Sequence, residues 1–180
     1  MKTKHLVSLL CVALLCPAFV GSVLGEGIDI GDAWEKPGRA ISVPVTLTAP
    51  SNMTAAFIRV NYDATVLENP SAAAGVLLSS GHVLDFHSPA PGRLNVIVCS
   101  SSGAPAFTAR SGVLFYLRFD IKEDAPAGVY PLTFTTSGAP ALPASNLVNT
   151  AGALVAHTQS PGKVTVDRFA NARPDWMLYD

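Results

Sequence analysis

The stretch "AAFIRVNYDATVLE" occupies residues 55–68. Successive side chains of a strand point to opposite faces of a sheet. Ala56, Ile58, Val60 and Tyr62 then share one face, which suits a core. Ala55, Phe57, Arg59 and Asn61 share the other, where a Phe stands beside an Arg. That second face is either covered by a neighbouring segment or kept for a partner. Asp63 ends the run, because Asp side chains bind the backbone N–H groups of their own turn.

The same pattern extends in both directions. Gly and Pro recur in "KPGR", "NPS", "SPAPGR", "EDAPAG" and "SPGK", and short β-type runs lie between them. These runs are 40–48, 55–62, 75–79, 82–86, 93–100, 112–121, 129–136, 153–157 and 163–167. Many short strands separated by turn signals predict an all-β sandwich or barrel. Ile41, Val43, Val45 and Leu47 share one face of the first run, with Pro44 on the other, as at an edge strand or bulge. Leu94, Val96 and Val98 point one way, and Asn95, Ile97 and Cys99 the other. The run "VLFYLRFDI" is apolar on both faces and predicts a central strand. Ile58, Val60, Val96, Leu114, Leu117 and Leu132 are core candidates, and Tyr116 is read as core as well. No capped amphipathic helix, internal repeat or low-complexity linker is found.

The N-terminus reads as an export signal. Lys2 and Lys4 precede the apolar run 6–16, which is too short to cross a bilayer as a helix. Cleavage is expected after Ser22 or Gly25. The organisation is therefore a signal peptide over 1–25, one domain over 26–167 and a tail over 168–180, and the product is secreted. No later run is long enough to insert in a membrane. Without Lys2 and Lys4, 10 basic residues face 13 acidic ones, a formal charge of −3. That balance disfavours nucleic acid as a partner. Cys99 is the sole cysteine after the signal, so no intrachain disulfide forms and the core must hold the domain.

The order of the pieces "GDAWEKPGRAISVPVTL", "AAFIRVNYDATVLE", "PGRLNVIVCSSSG", "GVLFYLRFDIKEDAPAGVYPLTF", "ASNLV" and "PGKVTV" resembles the cohesin family from about residue 28 to 166. The resemblance implies a secreted bacterial β-sandwich of jelly-roll topology, related to carbohydrate-binding sandwiches. It also implies a non-catalytic module that binds a dockerin-like partner on one sheet face, the face of the strand before Tyr62–Asp63. Type I members often carry Asn-x-Asp at the positions of Ala55, Ala56 and Phe57, and an acidic residue where this chain has Ser100. That polar grip is missing. The expected contact residues are Phe57, Arg59, Asn95, Ile97 and Ser100, with Leu147 and Asn149 on a later strand. Aromatic and Arg side chains are frequent interface anchors.

Other chemistry finds little support. In "HVLDFH", Asp85 and His87 share a strand face while His82 points away, and a closed metal site wants three or four ligands. Acid–base chemistry needs two carboxylates held across a cleft, whereas Asp63, Glu68, Asp120, Glu123 and Asp124 all fall in or near turns, and Ser100–Ser102 lack a strand-to-helix elbow. The expectation is no enzyme, no metal and no cofactor. The alternative is a carbohydrate-binding module that uses Trp34, with polysaccharide as its ligand.

Overall fold

A computed structural model describes residues 26–48, 52–101, 107, 111–135 and 145–169. Its strands are β1 (Gly27–Ile30), β2 (Asp32–Glu35), β3 (Ala40–Thr48), β4 (Met53–Asn61), β5 (Leu67–Ala74), β6 (His82–Ala90) and β7 (Arg93–Ser100). They continue with β8 (Gly112–Ile121), β9 (Gly128–Phe134), β10 (Asn146–Asn149), β11 (Leu154–Val155), β12 (Thr158–Ser160) and β13 (Gly162–Val166). The described residues contain no helix.

One sheet has the order β12-β1-β3-β8-β5. The other runs β11-β10-β4-β9-β13-β2, and β7 and β6 extend it from the remaining edge of β4. The inward residues of both sheets merge into one apolar cluster. Ile58, Val96, Leu114, Leu117 and Leu132 are fully buried and Val60 is 1% exposed, so all six core candidates lie inside. Burying a side chain of this kind contributes about 1.5–3 kcal/mol. Tyr62 closes one end of the core, its ring 5.1 Å from that of Phe119.

β8 is central, with β3 on one side and β5 on the other. Tyr116 is not core. It pairs with Pro44 and Ala73 and lies half-buried on the outer face of this sheet. A register shift between Val45 and Thr46 lets Leu114 and Phe115 both turn inward, and Tyr116 then falls outside. Pro44 sits within an inner strand rather than at an edge. Its missing N–H costs no ladder bond because β1 ends at Ile30, opposite Val45. There the chain crosses from one sheet to the other, and Gly31 N–H donates to the Pro44 carbonyl at 2.8 Å. A Cβ on Gly31 would meet the Pro44 ring at 2.8 Å, so glycine is required for that crossing.

Two expectations fail for backbone reasons. Residues 75–78 are a turn, not a strand; the strand is β5, which passes straight through Asn69–Pro70. A bulge between Glu68 and Ser71 absorbs the proline, and Asn69 takes φ 50° there, its amide donating to Asp120 Oδ2 at 2.9 Å. The expected run 153–157 shrinks to the two residues of β11. The signal segment, the expected cleavage sites and residues 170–180 lie outside the described residues.

Candidate protein-binding face

The face is built on β4. Its inward side chains Ala56, Ile58 and Val60 are buried, and Ala55, Phe57, Arg59 and Asn61 are half-buried on the outer side, as the alternation predicts. Pairing across β10, β4, β7 and β6 arranges the outer side chains in rows. The first row is Val148, Ala55, Cys99 and Val83; the second is Asn146, Phe57, Ile97 and Asp85. Arg59, Asn95 and His87 form a third row, and Asn61 and Arg93 a fourth. Directly opposed residues on one face are in side-chain contact range.

The rows differ in chemistry. Val83 is 49% and Ile97 44% exposed, flanking the half-buried Phe57 to give an apolar half. The Arg59 guanidinium carbon lies 4.8 Å from the Phe57 ring centroid, a cation–π distance. Arg59 N–H donates to Ser145 Oγ at 3.0 Å, and the Arg59 carbonyl accepts from Thr135 N–H at 3.1 Å. The Arg59 backbone is thus fixed on both sides. Arg59, Arg93, Asn95, Thr135 and Pro89 line a cleft of about 160 Å³. Arg59 Nε is shielded from solvent and meets no acceptor among the described residues. Asp85 is the one carboxylate in these rows, and its Oδ1 accepts the Phe86 N–H at 2.8 Å.

Of the expected contact residues, Phe57, Arg59, Asn95 and Ile97 come together on this face. The other three do not join them. Leu147 is 1% exposed, because it pairs with the inward Ala56; the outer positions of β10 belong to Asn146 and Val148. Asn149 is held by its own hairpin, its Oδ1 accepting N–H bonds from Ala151 at 2.9 Å and Ala153 at 3.0 Å. Ser100 follows the inward parity of Val96 and Val98 and pairs with His82 at the end of β7. Val83, Asp85, His87, Arg93, Asn146 and Val148 were missed. Their place depends on which strand lies beside β4 and in which register, and neither is written in a local pattern.

Elsewhere the chemistry is sparse. His82 turns away from Asp85 and His87: its Nδ1 accepts the Ser79 N–H at 2.9 Å and its ring stacks 4.9 Å from Phe107. No group of three or more His, Cys, Asp or Glu side chains able to hold a metal is found among the described residues. Trp34, on the edge strand β2, is 50% exposed.

Fold and face together define a class: a β-sandwich with a broad, half-apolar sheet face. The comparisons make the class particular. The model of the cohesin domain matches residues 27–166, and the chain belongs to that family. It is a non-catalytic interaction module. "Cellulose-binding protein A" of Clostridium cellulovorans is 30% identical over 112 residues, which are 62% of this chain and 6% of that protein. The chain therefore corresponds to a small part of that relative. The sixth cohesin of scaffoldin B from Acetivibrio cellulolyticus, solved in complex with the Cel5 dockerin, superposes with a TM-score of 0.70 at 23% identity, covering 79% of this chain and 99% of that one. A non-cellulosomal cohesin from the archaeon Archaeoglobus fulgidus gives 0.65 at 19% identity, covering 82% and 95%. These likenesses establish the cohesin sandwich, with its jelly-roll-like arrangement of strands.

Proposed function

We propose that this domain binds a dockerin-like module, or a helix of another exported protein, on the face of Phe57, for assembly or attachment outside the cell. The observation that carries the reading is the Phe57–Arg59 stack beside the exposed Ile97. Solved relatives in complex with dockerins, one of them a dockerin altered in its C-terminal helix, support a helical partner. The absence of Asn-x-Asp at residues 55–57 argues against an ordinary type I grip, in which polar side chains fix the partner helix. Here an aromatic and a guanidinium take its place. Export rests on the basic and apolar N-terminal run; the mass of the secreted product should lack the first 22–25 residues, and a product that keeps Met1 contradicts it.

The test is a pull-down from the native secretome with the wild type and the Phe57→Ala/Arg59→Ala double variant. Loss of a protein partner in the variant supports the reading. An unchanged set of partners, or retention on polysaccharide with no protein bound, overturns it and favours a glycan contact at Trp34.

A further inference from the structure

The proposed face has a polarity along its strands that a partner must match. This inference rests on the preceding reading and narrows it. Toward one end stand Val148, Ala55, Cys99 and Val83; toward the other stand Arg59, Arg93 and His87 with Asn61, Asn95 and Thr135. The two guanidinium side chains are diagonal neighbours, because Arg59 pairs with Asn95 and Arg93 lies two residues before it. Diagonal neighbours on one sheet face lie about 7–8 Å apart between Cα atoms. Both arginines also line the same cleft, so a carboxylate entering it meets positive charge from two strands.

Neither arginine is in an ion pair among the described residues, where the recorded pair is Lys163 with Asp32 at 3.2 Å. The nearest carboxylate on the face, Asp85, is one row away on the edge strand and opposes Ile97, not Arg59. Two like charges on diagonal positions of one cleft are an arrangement that a bound anion relieves. Asn95 and Thr135 at the same cleft offer further hydrogen-bonding groups beside that anion. A planar carboxylate suits the guanidinium fork.

We propose that the cleft between Arg59 and Arg93 receives an Asp or Glu side chain of the partner helix, and that Ile97 and Val83 receive aliphatic side chains of the same helix. The four steps along β7 from Asn95 to Cys99 cover roughly 13 Å at 3.3 Å per residue. That is between two and three turns of a helix at 5.4 Å each. The partner is thus an amphipathic helix with its acidic end over the arginines and its apolar residues two turns away. A helix with a basic residue at that end is repelled, so the cleft sets both choice and direction of the partner.

The test uses the mature domain and a display library of dockerin modules whose exposed helix positions are randomised. Selection should enrich Asp or Glu at one end of the contact helix. The selected clones should lose about tenfold or more in affinity for Arg93→Glu and for the Arg59→Gln/Arg93→Gln pair, and selection against Arg93→Glu should lose the acidic bias. Arg93 is exposed and distant from the core, so Arg93→Glu alone decides the matter if the double variant is poorly folded by circular dichroism. Binders that depend on Phe57 and Ile97 but show no acidic enrichment overturn this inference and leave the docking face intact. Binders indifferent to Phe57, or no binders at all, overturn the docking face, and this inference with it.

Discussion

Asp63 shows how much one carboxylate does in a domain whose one described cysteine, Cys99, is free. Its Oδ1 accepts the Thr65 hydroxyl at 2.6 Å and the Thr65 N–H at 2.8 Å, and its carbonyl accepts the N–H of Leu67 at 2.9 Å. The turn therefore sets where β4, the strand of the proposed face, stops and the opposite sheet begins. The Thr65 hydroxyl, then the Thr65 N–H, and more weakly the charge of Lys122 hold the Asp63 carboxyl below its ordinary value. A depressed folded-state value means stabilisation that is present above the unfolded pKa, near 3.9, and lost as pH falls through the folded one. Asp63→Ala should lower stability at neutral pH by on the order of 1 kcal/mol, the worth of a hydrogen bond or two. In denaturant titrations the gap to wild type should narrow below about pH 4. A gap that stays constant down to pH 2 would show that the charge is irrelevant. The role of Asp63 was legible in the sequence, because an Asp after a strand and two residues before Thr satisfies a local turn without help from the rest of the fold.

Elements were legible to the degree that their pattern is local. The two faces of β4 follow from alternation alone, and so does the outward Ile97 of β7. β5 was hidden because Asn69–Pro70 has the chemistry of a turn, and only the bulge against β8 lets it serve within a strand. Leu147 was misplaced because four residues of β10 show no alternation that fixes their parity; pairing with Ala56 fixes it instead. The hairpin of β6 and β7 illustrates the other case. Pro91 and Gly92 form its turn, with Gly92 at φ 80° and its carbonyl accepting the Tyr62 N–H at 3.0 Å. A Cβ there would sit 3.0 Å from the Tyr62 carbonyl and in the left-handed region. Gly92→Ala should destabilise the domain by about 1–2 kcal/mol, and weaken partner binding if the row of Asp85, Ile97 and Phe57 slips. Equal stability and equal binding in the variant would show that the turn does not set the register.

At the scale of the whole molecule, the first and last strands complete each other. β1 pairs with β12 and β2 with β13, both in parallel, and β13 is the only strand partner of β2 among the described residues. Such pairings close loops of more than a hundred residues and place the fold among slow, non-local topologies. Refolding of the mature domain should accordingly take milliseconds to seconds in stopped-flow fluorescence, and a microsecond phase carrying the full amplitude would contradict it. There is a cost in time during synthesis too. A ribosome adding 5–20 residues per second needs roughly 6–26 s to travel from Glu35 to Lys163. For that interval β2 has emerged with nothing to pair against, while Trp34 and the backbone edge beside it stand open to every other nascent chain on the same message. Until β13 arrives, β2 lacks the strand it pairs with in the fold, and the sheet edge that β13 fills stays open.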